Sequence, residues 1–275
     1  MKIKIYGCRG SLPTTRERAS AYGSNTSCIT IETAEQTLIL DAGSGIAQMD
    51  RFTKLFSASQ KPFDILLSHL HIDHLIGLTV FSKVWMNSPD ELVKLYTLSR
   101  DDRPLKEQIF GIFSPPYWPV PMAQFANAQC IALECDKSIQ IGQFTVTPFL
   151  AAHPDQTTSF HITDSTHSVV YMLDSEIPAL TAEGRDSLLA YCRHADLLVF
   201  DAAYSAIDYP TKKGWGHSTI EDGFQLAAEC GCKKILFTHF GFEYGDQELA
   251  IYESQVRAKG EGFIFARDGM EFMLS

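Results

Sequence analysis

The feature that most constrains this chain is a dense histidine cluster placed directly after an apolar run. Residues 68–74 read Ser-His-Leu-His-Ile-Asp-His, so three imidazoles and one carboxylate fall within six positions. The run before them, with Phe63, Ile65, Leu66 and Leu67, is typical of a buried strand. Neutral imidazole and carboxylate are ligands that zinc and similar first-row metals prefer. The cluster therefore predicts a metal site at the end of a core strand, and its internal position argues against a solvated loop or a purification tag.

The spacing within the cluster suits two ions. Alternate residues of an extended segment project to one side, so His69 and His71 can bind one ion together. Asp73 and His74 follow, where the chain turns toward the apolar, helix-like run 75–85, and they can face a second ion. A structural zinc site commonly includes cysteine, but the seven cysteines are scattered and no Cys-x-x-Cys pair occurs. The ligand types therefore predict an open catalytic site.

Further single His and Asp residues follow other apolar runs along the chain. These are Asp41 after 37–40, His153 after 144–150, Asp174 after 169–173 and His239 after 235–237. Together with the cluster at 68–74, and with Asp41 opening an Asp-Ala-Gly-Ser-Gly stretch, this order resembles the metallo-β-lactamase fold superfamily over nearly the whole chain.

The resemblance implies a fold and a ligand set. The fold would be the four-layer αββα sandwich of the α/β class, and the cofactors would be two divalent metal ions. Zinc is the expected metal, with manganese or iron as alternatives. Seven side chains would hold the ions: His69, His71 and His153 one, Asp73, His74 and His239 the other, with Asp174 as the bridge. Asp41 would support the ligand loop from behind.

A second histidine motif narrows the resemblance. The stretch Gly216-His217-Ser218-Thr219, paired with Asp201, looks like the branch that includes tRNase Z and related phosphodiesterases. A carboxylate that orients an imidazole raises its basicity and lets it donate a proton to a departing alkoxide. We therefore expect catalytic roles for His217 and Asp201, and for Asp73, which would also steer the attacking water.

Two motifs near the expected site keep simpler explanations. His217 could serve only to position Ser218, because Ser218-Thr-Ile-Glu221 reads as the capping box of a following helix. Arg9, in Gly7-Cys-Arg-Gly-Ser, could meet a phosphate or could simply cover the end of the sheet.

Length and composition favour one domain. With 275 residues, 45% of them apolar and 20% charged, the chain can bury one large core, so we predict a single domain over residues 1–275. The expected scaffold does not account for about 87–129, where a group of prolines lies beside Phe110, Phe113, Tyr117 and Trp118. A long irregular segment is usually a lid or an interface. Its aromatic rings could stack a nucleobase, or pack on the parent domain or on the second subunit of a homodimer.

The expected function is that of a dinuclear metal-dependent hydrolase, and within that class a phosphodiesterase for small diesters such as cyclic nucleotides. The formal charge of −10 opposes long nucleic acids, whose binding relies on Lys and Arg displacing counterions. The alternatives are a carboxyl-ester hydrolase for lactones or thioesters on the same ions, and a metal-bound protein that binds nucleotides without turnover.

The expected location is the cytoplasm, because scattered cysteines suggest reduced thiols. No apolar run approaches the ~20 residues that span a membrane, so no membrane partner is expected.

Overall fold

The chain forms two mixed β-sheets in a computed structural model that describes residues 1–15, 19–50, 63–84 and 92–274. Each sheet has seven strands among these residues. In neighbouring order, the first sheet contains β14 (Glu271–Met273), β1 (Lys2–Gly7), β2 (Cys28–Glu32), β3 (Thr37–Leu40), β4 (Phe63–Leu66), β5 (Val93–Leu98) and β6 (Ala128–Leu133). The second contains β13 (Phe263–Phe265), β12 (Ile235–Thr238), β11 (Leu197–Asp201), β10 (Ser168–Met172), β9 (Thr158–Thr163), β8 (Phe144–Leu150) and β7 (Ile139–Ile141).

The strands of each sheet run parallel on one side and antiparallel on the other. In the first sheet β3, β4, β5 and β6 are parallel, and β14, β1, β2 and β3 are joined by antiparallel pairs. In the second sheet β10, β11, β12 and β13 are parallel, whereas β7 to β10 are antiparallel. The two sheets thus have the same arrangement of parallel and antiparallel strands.

Seven α-helices lie within the described residues: α1 (Ile46–Asp50), α2 (Ile72–Leu75), α3 (Leu105–Phe110), α4 (Ala182–Cys192), α5 (Tyr209–Lys212), α6 (Ile220–Cys230) and α7 (Asp246–Arg257). Short 3₁₀ turns occupy Ile76–Thr79, Ser82–Val84, Met122–Gln124 and Ile177–Ala179. In this part of the chain no helix combines the length and the apolar character that crossing a bilayer requires.

Strand periodicity divides the core into two clusters. Successive side chains of a strand point to opposite faces of the sheet. In β3, Leu38 and Leu40 therefore join the large apolar cluster that both sheets share, whereas Ile39 joins a second cluster. The helical residues Ile46 and Phe110 belong to this second cluster, so helices cover the outer face of the first sheet.

Helix α6 covers the second sheet in the same way. Its buried residues include Ile220, Leu226 and Cys230, which recur at helical spacing, and the helix contacts β11 and β12. Helices thus flank two packed sheets, and the predicted four-layer αββα sandwich is confirmed.

The apolar pattern near the end of the sequence predicts a closing hairpin over residues 262–274, and this prediction is wrong. Strand β13 pairs in parallel with β12 in the second sheet, and β14 pairs antiparallel with β1 in the first. Apolar alternation identified both strands, but it carries no information about which sheet each strand joins.

The segment 87–129 is less irregular than expected. Residues 87–91 lie outside the described residues, but β5 follows and is an interior strand between β4 and β6. Helix α3, in the same segment, contacts β6. Part of the segment is therefore scaffold, and its role as a lid or an interface stays a prediction.

Two predicted helices differ from the structure. The sequence predicts a helix over about 44–57; in the structure this helix begins at Ile46, and the range beyond Asp50 lies outside the described residues. The helix-like run 75–85 is instead the end of the short α2 followed by two 3₁₀ turns, with position 85 outside the described residues.

Candidate metal centre

Apart from His217, the predicted site residues converge because they lie at the end of a strand or in the segment that follows one. The carboxyl ends of neighbouring parallel strands share one edge of a sheet, where ligands of open α/β sheets bind. Strand β3 leads to Asp41, β4 to His69, β8 to His153, β10 to Asp174, β11 ends at Asp201 and β12 leads to His239.

Four of the predicted ligands form a first group: His69, His71, His153 and Asp174. One ligand atom of each lies within 4.8 Å of those of the others. Asp174 Oδ1 is 3.7 Å from His69 Nε2 and 3.9 Å from His153 Nε2. Three imidazoles thus surround one buried carboxylate, an arrangement that could hold one divalent ion.

Asp73, His74 and His239 form a second, fully buried group. His74 Nε2 lies 3.2 Å from His239 Nε2 and 3.3 Å from Asp73 Oδ2. Asp174 Oδ2 reaches this group at 3.1 Å from His74 Nε2, while its Oδ1 faces the first group. Asp174 therefore lies where a carboxylate that bridges two ions would lie.

Asp41 holds the histidine cluster from behind. Its Oδ2 lies 2.7 Å from His74 Nδ1 and accepts hydrogen bonds from Ser68 Oγ and from the hydroxyl of Tyr171. Its Oδ1 accepts from the backbone N–H of Ser68 at 2.7 Å. Such partners fix the tautomer and orientation of a ligand imidazole. With Nδ1 engaged by Asp41, His74 presents Nε2 to the centre.

The opening loop contributes backbone to the second group. The N–H of Ser11 donates to Asp73 Oδ2 at 2.8 Å. A Cβ on Gly10 would lie 2.5 Å from Cε1 of His239, so only glycine lets the loop pass this ring. Arg9 is buried and donates to the carbonyl oxygens of Gly23 and Tyr244. Of the two explanations for Arg9, the structure supports packing over contact with a phosphate.

The two groups differ in charge. Burial lowers the pKa of His69 well below its ordinary value and that of His153 to about 4, so these imidazoles are neutral and ready to bind a cation. At His239 burial also lowers the pKa, but Asp174 and other carboxylates outweigh it and raise the pKa to about 10. The second group therefore attracts positive charge strongly, and metal ions would compete there with protons.

The side chains fit a pair of divalent ions. Among the buried side-chain atoms described, His69 Nε2 and Asp174 Oδ2 have no hydrogen-bond partner, although both face the centre. Unpaired buried polar atoms are rare and are usually explained by an ion or a water. The donors are nitrogen and oxygen without a thiolate, which suits catalytic zinc, manganese or iron.

His217 and Asp201 lie beside the ligand groups. His217 Nδ1 is 2.8 Å from Asp201 Oδ2 and 3.8 Å from Asp174 Oδ1. Burial lowers the pKa of His217, but the charges of Asp201 and Asp174 outweigh it and leave the pKa above its ordinary value. A Cβ on Gly216, whose φ is +90°, would lie 1.9 Å from Cδ2 of His153. The glycine lets this loop bring His217 against the first group.

The helix after this loop is capped one residue later than predicted. Thr219 is the N-cap of α6, and its side chain and that of Asp222 form a capping box. Ser218 instead donates to the carbonyl oxygen of Ser175 at 2.6 Å and accepts from the N–H of Ile177. The sequence fits both registers, and Thr219 has the extended backbone of an N-cap. His217 thus does not serve to place a capping serine.

Sequence reasoning missed several residues around the centre. Glu176 is buried and accepts hydrogen bonds from the Tyr209 hydroxyl and from the N–H groups of Gly214 and Gly216. It therefore holds the loop that carries His217. Asp155 was also missed, although it lies only two residues after the predicted ligand His153 in the sequence.

The family follows from the chain's similarity to known proteins. A family model described as a β-lactamase superfamily domain matches residues 36–240, a range that includes all seven candidate ligands. The chain belongs to this family. The resemblance seen in the sequence is thereby confirmed.

Proteins of this family from bacteria resemble the chain along its full length. "Probable metallo-hydrolase YhfI" of Bacillus subtilis (strain 168) is 25% identical over 277 residues, covering 96% of this chain and 99% of that protein. A ribonuclease Z of Gemmatimonas aurantiaca is 22% identical and covers 99% and 96%.

Solved structures show the same fold. The crystal structure of YhfI has a TM-score of 0.72 at 21% identity and covers 98% of each chain. A diphosphatase of the PhnP family has a TM-score of 0.70 at 15% identity, covering 100% of this chain and 98% of that one. Together the similarities support a hydrolase of the metallo-β-lactamase fold.

Proposed function

We propose that this chain is a dinuclear metal-dependent phosphodiesterase that hydrolyses small phosphodiesters such as cyclic nucleotides. The observation that carries the proposal is the His217–Asp201 pair, whose 2.8 Å contact lies beside the bridging position of Asp174. When a phosphodiester is hydrolysed, the leaving group departs as an alkoxide, which needs a proton. An imidazole held by a carboxylate can supply that proton. The name of one relative agrees, since a ribonuclease acts on RNA, whose backbone is a chain of phosphodiesters.

Two ions would be held by the ligand groups described above. His69, His71 and His153 would hold one ion, Asp73, His74 and His239 would hold the other, and Asp174 would bind both. When bound, divalent ions supply Lewis acidity to a phosphoryl group and lower the pKa of water.

His217 would act as the proton donor to the leaving oxygen. Asp201 accepts a hydrogen bond from Nδ1–H of His217 and thereby fixes the ring. Nε2 is then the nitrogen left to face a substrate. Burial lowers the pKa of His217, but the charges of Asp201 and Asp174 outweigh it and raise the pKa, which favours the protonated donor. The same centre also contains a group of ligand atoms from Asp174, His217 and His239 within 4.8 Å, so a test must separate proton donation from metal binding.

Asp73 would combine ligation with steering of the attacking water. Its carboxylate is buried, and Oδ2 already accepts the Ser11 N–H while facing His74 and His239. These contacts keep the pKa of Asp73 well below its ordinary value even though burial raises it. An ionised carboxylate in a fixed orientation can accept a hydrogen bond from the attacking water and thereby orient it.

An apolar groove beside the centre could bind a planar group of the substrate. The groove, of about 360 Å³, is lined by Ile72, Ile76, Ile112, Phe113, Tyr117 and Trp118. Ile72 lies between the ligands His71 and Asp73 in the chain, so one wall of the groove comes from the ligand segment. If it holds the base of a nucleotide, Trp118→Ala should raise KM more than it lowers kcat.

A substrate panel tests the proposal. Metal-loaded protein is assayed with bis-p-nitrophenyl phosphate, cyclic mononucleotides, a lactone and a thioester. We expect turnover of the aryl diester and of at least one cyclic nucleotide. Activity confined to the lactone or thioester would make the chain a carboxyl-ester hydrolase, and binding without any turnover would make it a nucleotide-binding protein.

A further inference from the structure

His71 is the one exposed member of the ligand set. Its side chain is 44% exposed, whereas those of His69, His74 and His239 are buried almost completely. A buried imidazole is fixed by packing, but an exposed one needs a partner to hold its ring. Even the buried His74 has a carboxylate partner of this kind, Asp41.

The partner of His71 is Asp155. Oδ2 of Asp155 lies 3.4 Å from His71 Nε2, which leaves Nδ1 as the ring nitrogen for an ion. A contact of 3.4 Å is longer than an ordinary hydrogen bond, so its strength depends on how firmly the carboxylate is held. The guanidinium of Arg100 contacts the other oxygen of Asp155, Oδ1, and supplies that restraint.

We propose that Asp155 and Arg100 form a positioning pair that fixes His71 as a metal ligand. A ligand imidazole that donates its second N–H to a carboxylate is held in one tautomer and is made more basic. The positive charge of Arg100 balances the negative charge of Asp155, so the pair orients His71 without adding net charge. The inference rests on the metal centre of the proposed function.

The turn that carries Asp155 holds a second ligand through its backbone. His153 Nδ1 lies 3.0 Å from the carbonyl oxygen of Asp155 and 3.0 Å from Oγ1 of Thr157. One turn therefore positions two ligands of the same group, His153 by backbone and His71 by side chain. Replacing the Asp155 carboxylate should affect His71 and leave the backbone contact to His153 in place.

Arg100 is held in place by its own loop. It follows β5, whose carboxyl end lies beside that of β4 in the sheet. Its N–H donates to Gln108 Oε1 at 2.8 Å. Gln108 Nε2 in turn donates to Ser99 Oγ and to the carbonyl oxygen of Arg103. The 87–129 segment thus reaches the metal centre through Arg100, which gives it a function besides that of a lid.

The test is a cobalt titration of the purified protein, followed by visible absorption and by calorimetry. We expect two binding steps in the wild type. Asp155→Asn should weaken one step by ~10–100-fold and leave the other unchanged, the usual effect of removing an outer partner. Arg100→Ala should weaken the same step by less. The matched control is Asp164→Asn, because Asp164 pairs with His167 in a turn between β9 and β10 and not in the centre.

A double-mutant cycle separates positioning from general stability. If Asp155 acts through His71, Asp155→Asn should have no further effect on cobalt affinity in a His71→Ala background. Losses that add fully, or wild-type affinity in Asp155→Asn, would overturn the proposal. If Asp155→Asn does not fold, the cycle between Arg100→Ala and His71→Ala decides the question by the same criterion.

The titration uses no substrate, so its result is independent of phosphodiester turnover. A wild type that binds two cobalt ions but cleaves no diester would refute the proposed function and leave the positioning pair to be judged by the variants. A wild type that binds no cobalt would refute both.

Discussion

At the residue scale, His74 and His153 each present one ring nitrogen to the centre and use the other in a hydrogen bond to the protein. Asp41 takes Nδ1 of His74, and the turn at Asp155 takes Nδ1 of His153. His217 follows the same pattern with Asp201 but lies outside the seven-residue ligand set. Similar local geometry can therefore serve either ligation or proton transfer, and substitutions distinguish the two.

His217→Ala should leave the metal content near that of the wild type and reduce turnover of a diester with a poor leaving group by ~10²–10⁴. Asp174→Ala is the comparison, because loss of the bridging carboxylate should remove metal and activity together. Elemental analysis and steady-state kinetics on the same samples check both results. Full activity of His217→Ala would exclude its role as the proton donor.

Asp201→Asn should shift the pH dependence of kcat. The Asp201 charge helps to raise the pKa of His217 against the effect of burial, and a proton donor works only while protonated. Activity should therefore fall as the pH rises through the pKa of His217. Without the charge this pKa drops, so the descending limb should move to lower pH. An unmoved limb, at unchanged metal content, would contradict the assignment.

At the element scale, the helix that follows His217 begins with a complete capping box on Thr219 and Asp222. The box determines where α6 starts and hence where the preceding loop must end. Ser218, the neighbouring residue, ties the loop to Ser175 and Ile177 after β10. The helix start and the loop that carries His217 are thus fixed by separate side chains.

Thr219→Ala should lower the free energy of unfolding by about 1 kcal/mol, the usual effect of losing an N-cap side chain. Urea unfolding of the metal-depleted protein measures it. Thr181→Ala is a suitable comparison, because Thr181 caps α4 far along the chain from this loop and accepts from the N–H of Gly184. No loss in Thr219→Ala would show that the cap does not contribute.

The candidate ligands could be predicted because the order in which they follow apolar strands, as His239 follows β12, resembles that of the metallo-β-lactamase superfamily. Asp155 and Arg100 could not be recognised, since their contact depends on β5 lying beside β4. The fold class could be predicted from the order of motifs. The separation of β13 and β14 into different sheets could not, because pairing depends on long-range packing that local alternation does not encode.

At the scale of the whole molecule, net charge bears on the size of the substrate. A formal charge of −10 repels a long phosphate backbone, whereas two divalent ions neutralise a single diester locally. The ribonuclease Z relatives make RNA the natural comparison. The cytoplasmic location and the homodimer stay predictions from the sequence.

Small diesters should therefore be cleaved in preference to polymers. With equal enzyme and metal, we expect hydrolysis of an aryl diester or cyclic mononucleotide and little or no cleavage of precursor tRNA. Gel analysis of the tRNA beside a spectrophotometric assay of the small diester makes the comparison. Efficient tRNA cleavage would show that the net charge does not limit the substrate.

The most direct test of the dinuclear phosphodiesterase is a metal titration of activity. Metal-depleted protein receives increasing manganese or zinc, and hydrolysis of bis-p-nitrophenyl phosphate is measured against the bound metal per chain. The seven candidate ligands, with Asp174 facing both groups, predict that activity rises to a plateau at two ions per chain. Full activity at one ion, or no hydrolysis at two, would contradict the account.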